Sequence, residues 1–401
     1  MNTDLIVLGS GVAGTTAALA AAEKGMQVLL CGELLGGMCL HTGCIPAKIC
    51  MRSGSTDLSA LSAYRTQTVR TLQAGLAASL QEKGVAYIPD NGTLCGKTDR
   101  FSVHCGEEVH TARFVLLASG SVARQLPNAC TPGDIFTAEH LPQSAVICGG
   151  GASGLETAAY LCRMGAAVTV YEQGERLLPE ADKEISASLL RALRRRGIRI
   201  HLKERAPESV QAETVVCACG RQPNIQTLGL ASVGLSAVQT DAHMQTSVSG
   251  LYAAGDVCGV RRTAHAAMRE AECAVRHMCG EADSIENCAF PQTVFTDPPC
   301  AFVGETGSRM RRAVVPLKSC GGYLAAGGDP NGVLVLAADE SGIVCGLHMC
   351  GDGAPELLAA GCLLVQNRLT VSAVRQTVFP HPTVGEALRS AADKIIKGEY
   401  I

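Results

Sequence analysis

The sequence has no excess of charge of either sign. Across 401 residues, 34 lysines and arginines are interspersed with 37 aspartates and glutamates, for a formal net charge of −3. No basic stripe occurs, which excludes the electrostatic footprint of a nucleic-acid-binding protein. The opening residues MNTDLIVLGSGVAG contain no basic segment, and glycines break their apolar run, so they lack the pattern of a secretory signal peptide. Residues 5–22 carry no charged side chain. Their glycine, serine and threonine content nevertheless reads as strand, tight turn and small-residue helix rather than as a membrane span. The paired C-x-x-C spacings of a zinc site are also missing. A cytoplasmic protein is expected, with no membrane or nucleic-acid partner, no metal and mostly reduced thiols.

What is present suits two or three globular domains with full cores: 47% hydrophobic residues, 44 glycines and 20 cysteines. Most cysteines, among them Cys148, Cys162, Cys217 and Cys219, sit in apolar runs and read as small buried hydrophobes.

The stretch DLIVLGSGVAGTTAALAAAEKGMQVLLC predicts a strand over 4–8, a glycine turn, a helix over 12–24 and a strand over 27–31. Gly9, Gly11 and Gly14 have the G-x-G-x-x-G spacing. The first glycine makes the tight turn, the second admits a pyrophosphate, and the third lets helix pack on strand. The helix N-terminus then offers its unpaired N–H groups to the phosphates. The pattern recurs in SAVICGGGASGLETAAYLCRMGAAVTVYEQ, with Gly149, Gly151 and Gly154. Two dinucleotides are therefore implied, or one and a degenerate copy. Glu172, which ends the second strand of the repeat, can accept hydrogen bonds from a ribose 2′-hydroxyl and repels a 2′-phosphate, favouring NAD. In the first unit the strand ends in Cys31 where an acid is expected. Glu33 follows, and either it reaches the ribose from the turn or that bond is absent.

CLHTGCIPAK sets Cys39 and Cys44 five positions apart. In a straight helix their Cα atoms would stand roughly 8.7 Å apart, beyond the span of a disulfide. Closure therefore needs a backbone departure, for which Gly43 supplies the freedom, while Pro46 suits the first turn of a following helix. The dipole of that helix would favour a thiolate at Cys44. His41 either tunes the thiols or faces solvent.

GGMCLHTGCIPAK resembles the redox motif of the flavoprotein disulfide reductases (class I pyridine nucleotide-disulfide oxidoreductases). The resemblance runs along the chain in order through LLASGS (116–121), CGRQPN (219–224), TSVSGLYAAGDV (246–257), TAHAA (263–267), VFTDPPCAFVGET and PHPTVGEAL. It implies an α/β fold with two Rossmann-like domains, for FAD and NAD, and a C-terminal α+β dimerisation domain. The FAD domain is expected at 1–140 and 245–285, the NAD domain at 141–244 and the interface domain at 286–401. The resemblance also assigns roles. Cys39 is the interchange thiol, Cys44 faces the flavin, and Lys48 pairs with Glu156 beside it. Asp256 accepts from the ribityl chain, and His381 is the acid–base residue, oriented by Glu386. Gly120, Gly220, Ala264 and His265 fall in cofactor-binding segments. A homodimer with shared active sites is implied.

Among family members, mercuric reductase and large thioredoxin reductases need a second cysteine pair near the C-terminus, and ADKIIKGEYI has none. Glutathione reductase prefers NADPH, which Glu172 opposes. Dihydrolipoamide dehydrogenase is left by exclusion, serving a 2-oxo acid dehydrogenase or glycine cleavage complex through a lipoyl-type disulfide. The alternatives are another NAD(P)H-dependent disulfide reductase, or a flavoprotein of weakened disulfide activity with a binding role. The shortened stretch from Cys44 to Gly149 keeps the latter open.

Overall fold

The computed structural model describes residues 2–207 and 211–401. The chain divides into two compact units, each built from two stretches of sequence: Met1–Arg124 with Arg221–Asn287, and Gln125–Gly220 with Cys288–Ile401.

At the centre of the first unit runs the strand Asn2–Leu8. Leu5, Ile6, Val7 and Leu8 are all essentially inaccessible, as expected of a parallel strand covered on both faces. It pairs in parallel with Val28–Cys31 on one side and Glu108–Leu117 on the other. Ala86–Ile88 extends the first edge, and Leu251–Ala253 joins Glu108–Leu117 in parallel. Phe101–Cys105 and Thr93–Lys97 complete the sheet as an antiparallel hairpin. The helix Val12–Glu23 presents Gly14, Ala17, Ala18 and Ala21 to the interior. Side chains this small let the helix Ala264–Met278 pack against it. Strand, turn, helix and strand thus fall within a residue or two of their expected bounds. Among the described residues, no helix is long and apolar enough to cross a membrane.

The second unit repeats the theme in a four-stranded parallel sheet, ordered Arg199–Leu202, Ala167–Glu172, Ser144–Cys148, Thr214–Cys217. Its C-terminal part is a five-stranded antiparallel sheet in the order Gln292–Val294, Cys300–Gly304, Val344–Cys350, Val333–Ala338, Arg311–Pro316. The helices Ala354–Gln366 and Glu386–Ile396 cover it. Leu334, Leu336, Leu347, Leu388 and Ala391 form part of the shared apolar core.

One polar cluster is buried within this unit. Asp182 caps the helix Lys183–Arg195, and its carboxylate takes two-pronged donation from Arg312, with Nη2 at 2.8 Å from Oδ2 and Nε at 3.1 Å. The Asp182 amide donates to Nδ1 of His348 at 2.9 Å. His348 Nε2 lies 3.2 Å from the Gly304 carbonyl, so the ring is a neutral tautomer with its proton on Nε2. Burial pushes its pKa down. An unfolded histidine titrates near 6.5, so between that value and the lower folded one the unfolded chain binds the extra proton. The stability His348 contributes is therefore complete above about pH 6.5 and lost as pH falls below it. His348→Gln, which keeps an acceptor for the Asp182 amide, should flatten that acid limb in urea titrations across pH 5–7. An unchanged slope would remove His348 from the account.

Candidate active site

The glycine turns are set by contacts that admit no side chain. Gly9 has φ +118°, and a Cβ there would lie 2.2 Å from the Ala118 carbonyl oxygen. A Cβ on Gly14 would stand 1.7 Å from the Gly9 oxygen. Gly149 (φ +116°) and Gly154 repeat these approaches at 2.4 Å to Ala218 O and 2.1 Å to Gly149 O. The middle glycines differ: a Cβ on Gly11 would meet nothing nearer than 3.9 Å, and one on Gly151 nothing within 4 Å. Those positions are open at the start of a helix, where a side chain would occupy the space of a pyrophosphate. Both turns fit a dinucleotide.

Glu172 is held at the second turn. Its carboxylate accepts the amides of Gly150 and Gly174, each at 2.6 Å. The first unit departs from expectation. Cys31 is no ribose ligand: it is fully buried in an apolar cluster with Leu8, Val103 and Cys105, and burial pushes its thiol pKa far up. Glu33 is exposed, and its carboxylate accepts from Asn91 Nδ2 at 3.2 Å.

The cysteine pair sits where two short helices meet. Gly37–His41 carries Cys39, and Cys44 opens Cys44–Arg52. Between them the backbone leaves the helical path, with Gly43 at φ −113°, ψ −112°. The Thr42 and Gly43 amides both donate to Met38 O, at 2.9 and 2.7 Å. A Cβ on Gly43 would press to 3.0 Å from that oxygen and 3.4 Å from Cys39 Cα. This is the departure the spacing requires. The cysteines stand as two thiols. A hydrogen bond to Cys44 is the main cause that pushes the Cys39 pKa up, ahead of burial and of the Cys44 charge, with Lys48 pulling weakly the other way. His41 is partly exposed, and its Nε2 is tied to the Leu35 carbonyl at 2.9 Å.

Lys48 is one turn into the helix of Cys44. Glu156, its expected partner, belongs to the second unit, where it is 7% exposed and accepts the Phe295 amide at 2.9 Å. Asp256 follows Gly255 and accepts from Ser121 Oγ. Arg221 donates to Ser121 through Nε, at 2.7 Å from Oγ, and lies 3.9 Å from Asp256. Gly120 (φ +73°) precedes Ser121, and Gly220 (φ +97°) precedes Arg221 in the chain. Ser121 and Arg221 went unread in the sequence because their link depends on the antiparallel pairing of Ser121–Ala123 with Arg221–Pro223. Ala264 opens the helix Ala264–Met278, and His265 Nε2 lies 3.0 Å from Thr263 Oγ1.

His381 and Glu386 meet as expected. Nδ1 lies 3.0 Å from Glu386 Oε1. Glu386 also accepts the Thr383 amide at 3.2 Å, and these bonds, His381 first, hold its carboxyl below the usual range. With Nδ1 so engaged, Nε2 is the nitrogen that can exchange a proton with a thiol.

Residues 3–271 match the family model described as pyridine nucleotide-disulphide oxidoreductase. Residues 290–392 match that family's dimerisation domain. A dihydrolipoyl dehydrogenase of Thermus scotoductus is 29% identical over 98% of this chain and 97% of its own length. One from Bacillus subtilis is 28% identical over 96% and 97%. Among solved structures, LpdA from Mycobacterium tuberculosis superposes with a TM-score of 0.90 at 25% identity, covering 98% of this chain and 99% of that one. The HOCl-induced flavoprotein disulfide reductase RclA from Escherichia coli shares the fold, with a TM-score of 0.88 at 21% identity and 97% and 99% coverage.

The thiol geometry gives a direct test. In Cys44→Ser the neighbour that raises the Cys39 pKa is gone. Alkylation of the peptide containing Cys39, followed by mass spectrometry on reduced protein, should then show its pH midpoint shifted down. A midpoint unchanged from wild type would mean that the two sulfurs do not share a proton.

Proposed function

Because the chain belongs to the pyridine nucleotide-disulphide oxidoreductase family, whose cofactors are FAD and NAD, we propose that it is a dihydrolipoyl dehydrogenase. It would pass electrons between a lipoyl-type dithiol and NAD through Cys39 and Cys44. The observation that carries this reading is the cysteine pair: the backbone leaves the helical path at Gly43, between the helix that carries Cys39 and the one that Cys44 opens. The names of the near full-length relatives support the substrate, and Glu172 at the second glycine turn supports NAD over NADP. We place the FAD domain at 1–140 and 245–285, the NAD domain at 141–244 and the dimerisation domain at 286–401. The match over 290–392 supports a homodimer. Its assembly into a 2-oxo acid dehydrogenase or glycine cleavage complex is part of the same proposal.

The residues divide the work as follows. With Cys39 and Cys44 oxidised to a disulfide, one substrate thiol gives its proton to His381 Nε2 and attacks Cys39 Sγ. The disulfide breaks and Cys44 leaves as a thiolate, stabilised at its helix N-terminus. The second substrate thiol then attacks its partner sulfur and passes its proton to the Cys39 thiolate it expels, while the first proton stays on His381, whose charge balances the Cys44 thiolate. Glu386 holds the imidazole and stabilises its charged form. FAD, bound by the glycine turn of the first unit, carries the electron pair between thiols and nicotinamide. Gly9, Gly11, Gly14, Gly120, Asp256, Ala264 and His265 would line it, with Lys48 and Glu156 beside its ring. Gly149, Gly151, Gly154 and Gly220 would serve NAD.

Purified protein should reduce lipoamide with NADH and leave oxidised glutathione largely untouched. The reverse preference would overturn the substrate assignment. Glu172→Ala should raise the KM for NADH and narrow its advantage over NADPH. Equal turnover of both by the unmodified protein would remove that argument. His381→Gln should lower kcat by about 10²–10⁴-fold.

Each site is proposed to combine Cys39 and Cys44 of one subunit with His381 and Glu386 of its partner. Exchange of Cys39→Ser chains with His381→Ala chains then tests the sharing. Half of the randomly paired dimers are mixed, and each mixed dimer has one intact site, so activity should return to about a quarter of wild type. If both residues served the same chain's site, proven exchange would restore nothing.

A further inference from the structure

The chain contains two glycine turns that can be matched residue by residue. Gly9 N–H donates to Cys31 O at 2.7 Å, and Gly149 N–H to Tyr171 O at 2.9 Å. Cys31 therefore corresponds to Tyr171, Ser10 to Gly150, and Gly32, not Cys31, to Glu172. The same chain distance separates Gly9 from Gly32 and Gly149 from Glu172.

In the second turn the acid's position is filled by a carboxylate against Gly150 N–H. In the first it is closed to any side chain: a Cβ on Gly32 would lie 2.5 Å from both the amide nitrogen and Oγ of Ser10. The Ser10 side chain takes that space. Tyr87, on the neighbouring strand Ala86–Ile88, donates its hydroxyl to Gly32 O at 2.7 Å. Ser10 Oγ thus stands where the acid's side chain would begin, and a hydroxyl oxygen can accept a hydrogen bond as a carboxylate does. Glu33 lies one residue past the matched position and is bonded to Asn91.

We infer that in this chain the adenosine ribose of FAD is read by an uncharged hydroxyl pair, Ser10 facing the ribose and Tyr87 holding Gly32 against it as a positioning residue, in place of the carboxylate that Glu172 supplies in the second unit. The inference rests on FAD occupying the first unit. Glycine at position 32 and serine at position 10 are then a matched substitution: one vacates the space and the other fills it with an acceptor.

The test uses the purified holoenzyme stripped of FAD and titrated with FAD or its 2′-deoxyadenosine analogue, followed by flavin fluorescence. Wild type should bind FAD about 2–10-fold more tightly than the analogue, the range of one neutral hydrogen bond. Ser10→Ala should weaken FAD by a similar factor and bind both flavins equally. Tyr87→Phe should move part of the way, and Glu33→Gln should keep the wild-type discrimination. Release of FAD from undisturbed holoenzyme on dilution gives a second readout, faster for Ser10→Ala and Tyr87→Phe than for wild type. Retained discrimination in Ser10→Ala, its loss in Glu33→Gln, or none in wild type would overturn the hydroxyl pair while leaving FAD as the cofactor. A wild-type protein that binds no FAD would overturn the cofactor reading itself.

Discussion

The chain is organised around a backbone contact that excludes side chains: the approach of Gly14 to Gly9 at the end of the central strand. The helix Val12–Glu23 reaches its strand only because no Cβ intervenes. Gly37, just before Cys39, presses on the same turn, since a Cβ there would sit 2.7 Å from Gly11 Cα. One small patch of bare backbone thus brings together a strand end, a helix start and the segment bearing the reactive thiols. Proximity of a dinucleotide to a cysteine pair is a geometric result of that crowding.

Much of this was legible in the sequence because its signals are local. G-x-G-x-x-G spacing names its own turn, and the span between Cys39 and Cys44 demands a broken helix that Gly43 provides. His381 and Glu386 lie close enough in sequence for their pairing to be read. What could not be read depends on strand register. Ser121 and Arg221 meet through a pairing between distant segments, and the buried Asp182–Arg312–His348 cluster joins three separate stretches of chain. Cys31 was misread for a different reason. Counting to the end of a strand is uncertain by one residue, and one residue turns a side chain from the ligand to the core. The internal repeat carried the remedy, because the interval from Gly149 to Glu172 ends on Gly32 when it is started at Gly9.

The two units show how a duplicated turn can diverge without losing its scaffold. The three glycines of each make equivalent approaches, so the pyrophosphate positions are preserved. Charge at the strand end is not. In the proposed reading Glu172 serves a free ribose hydroxyl in the second turn, and Ser10 and Tyr87 stand in for that charged acceptor in the first. A ligand that stays bound through many turnovers tolerates such an exchange better than one that must be selected from a mixed pool at every cycle.

A protein with 20 cysteines that works by thiol exchange risks reacting with itself. Burial answers that risk chemically as well as sterically. Desolvation holds the thiols of Cys31, Cys105, Cys130, Cys148, Cys162 and Cys219 protonated far above neutral pH. A protonated sulfur is a poor nucleophile. These residues therefore fill space as small aliphatic groups and stay silent in the exchange proposed for Cys39 and Cys44. The low polarity around these six sulfurs insulates them from the chain's own chemistry.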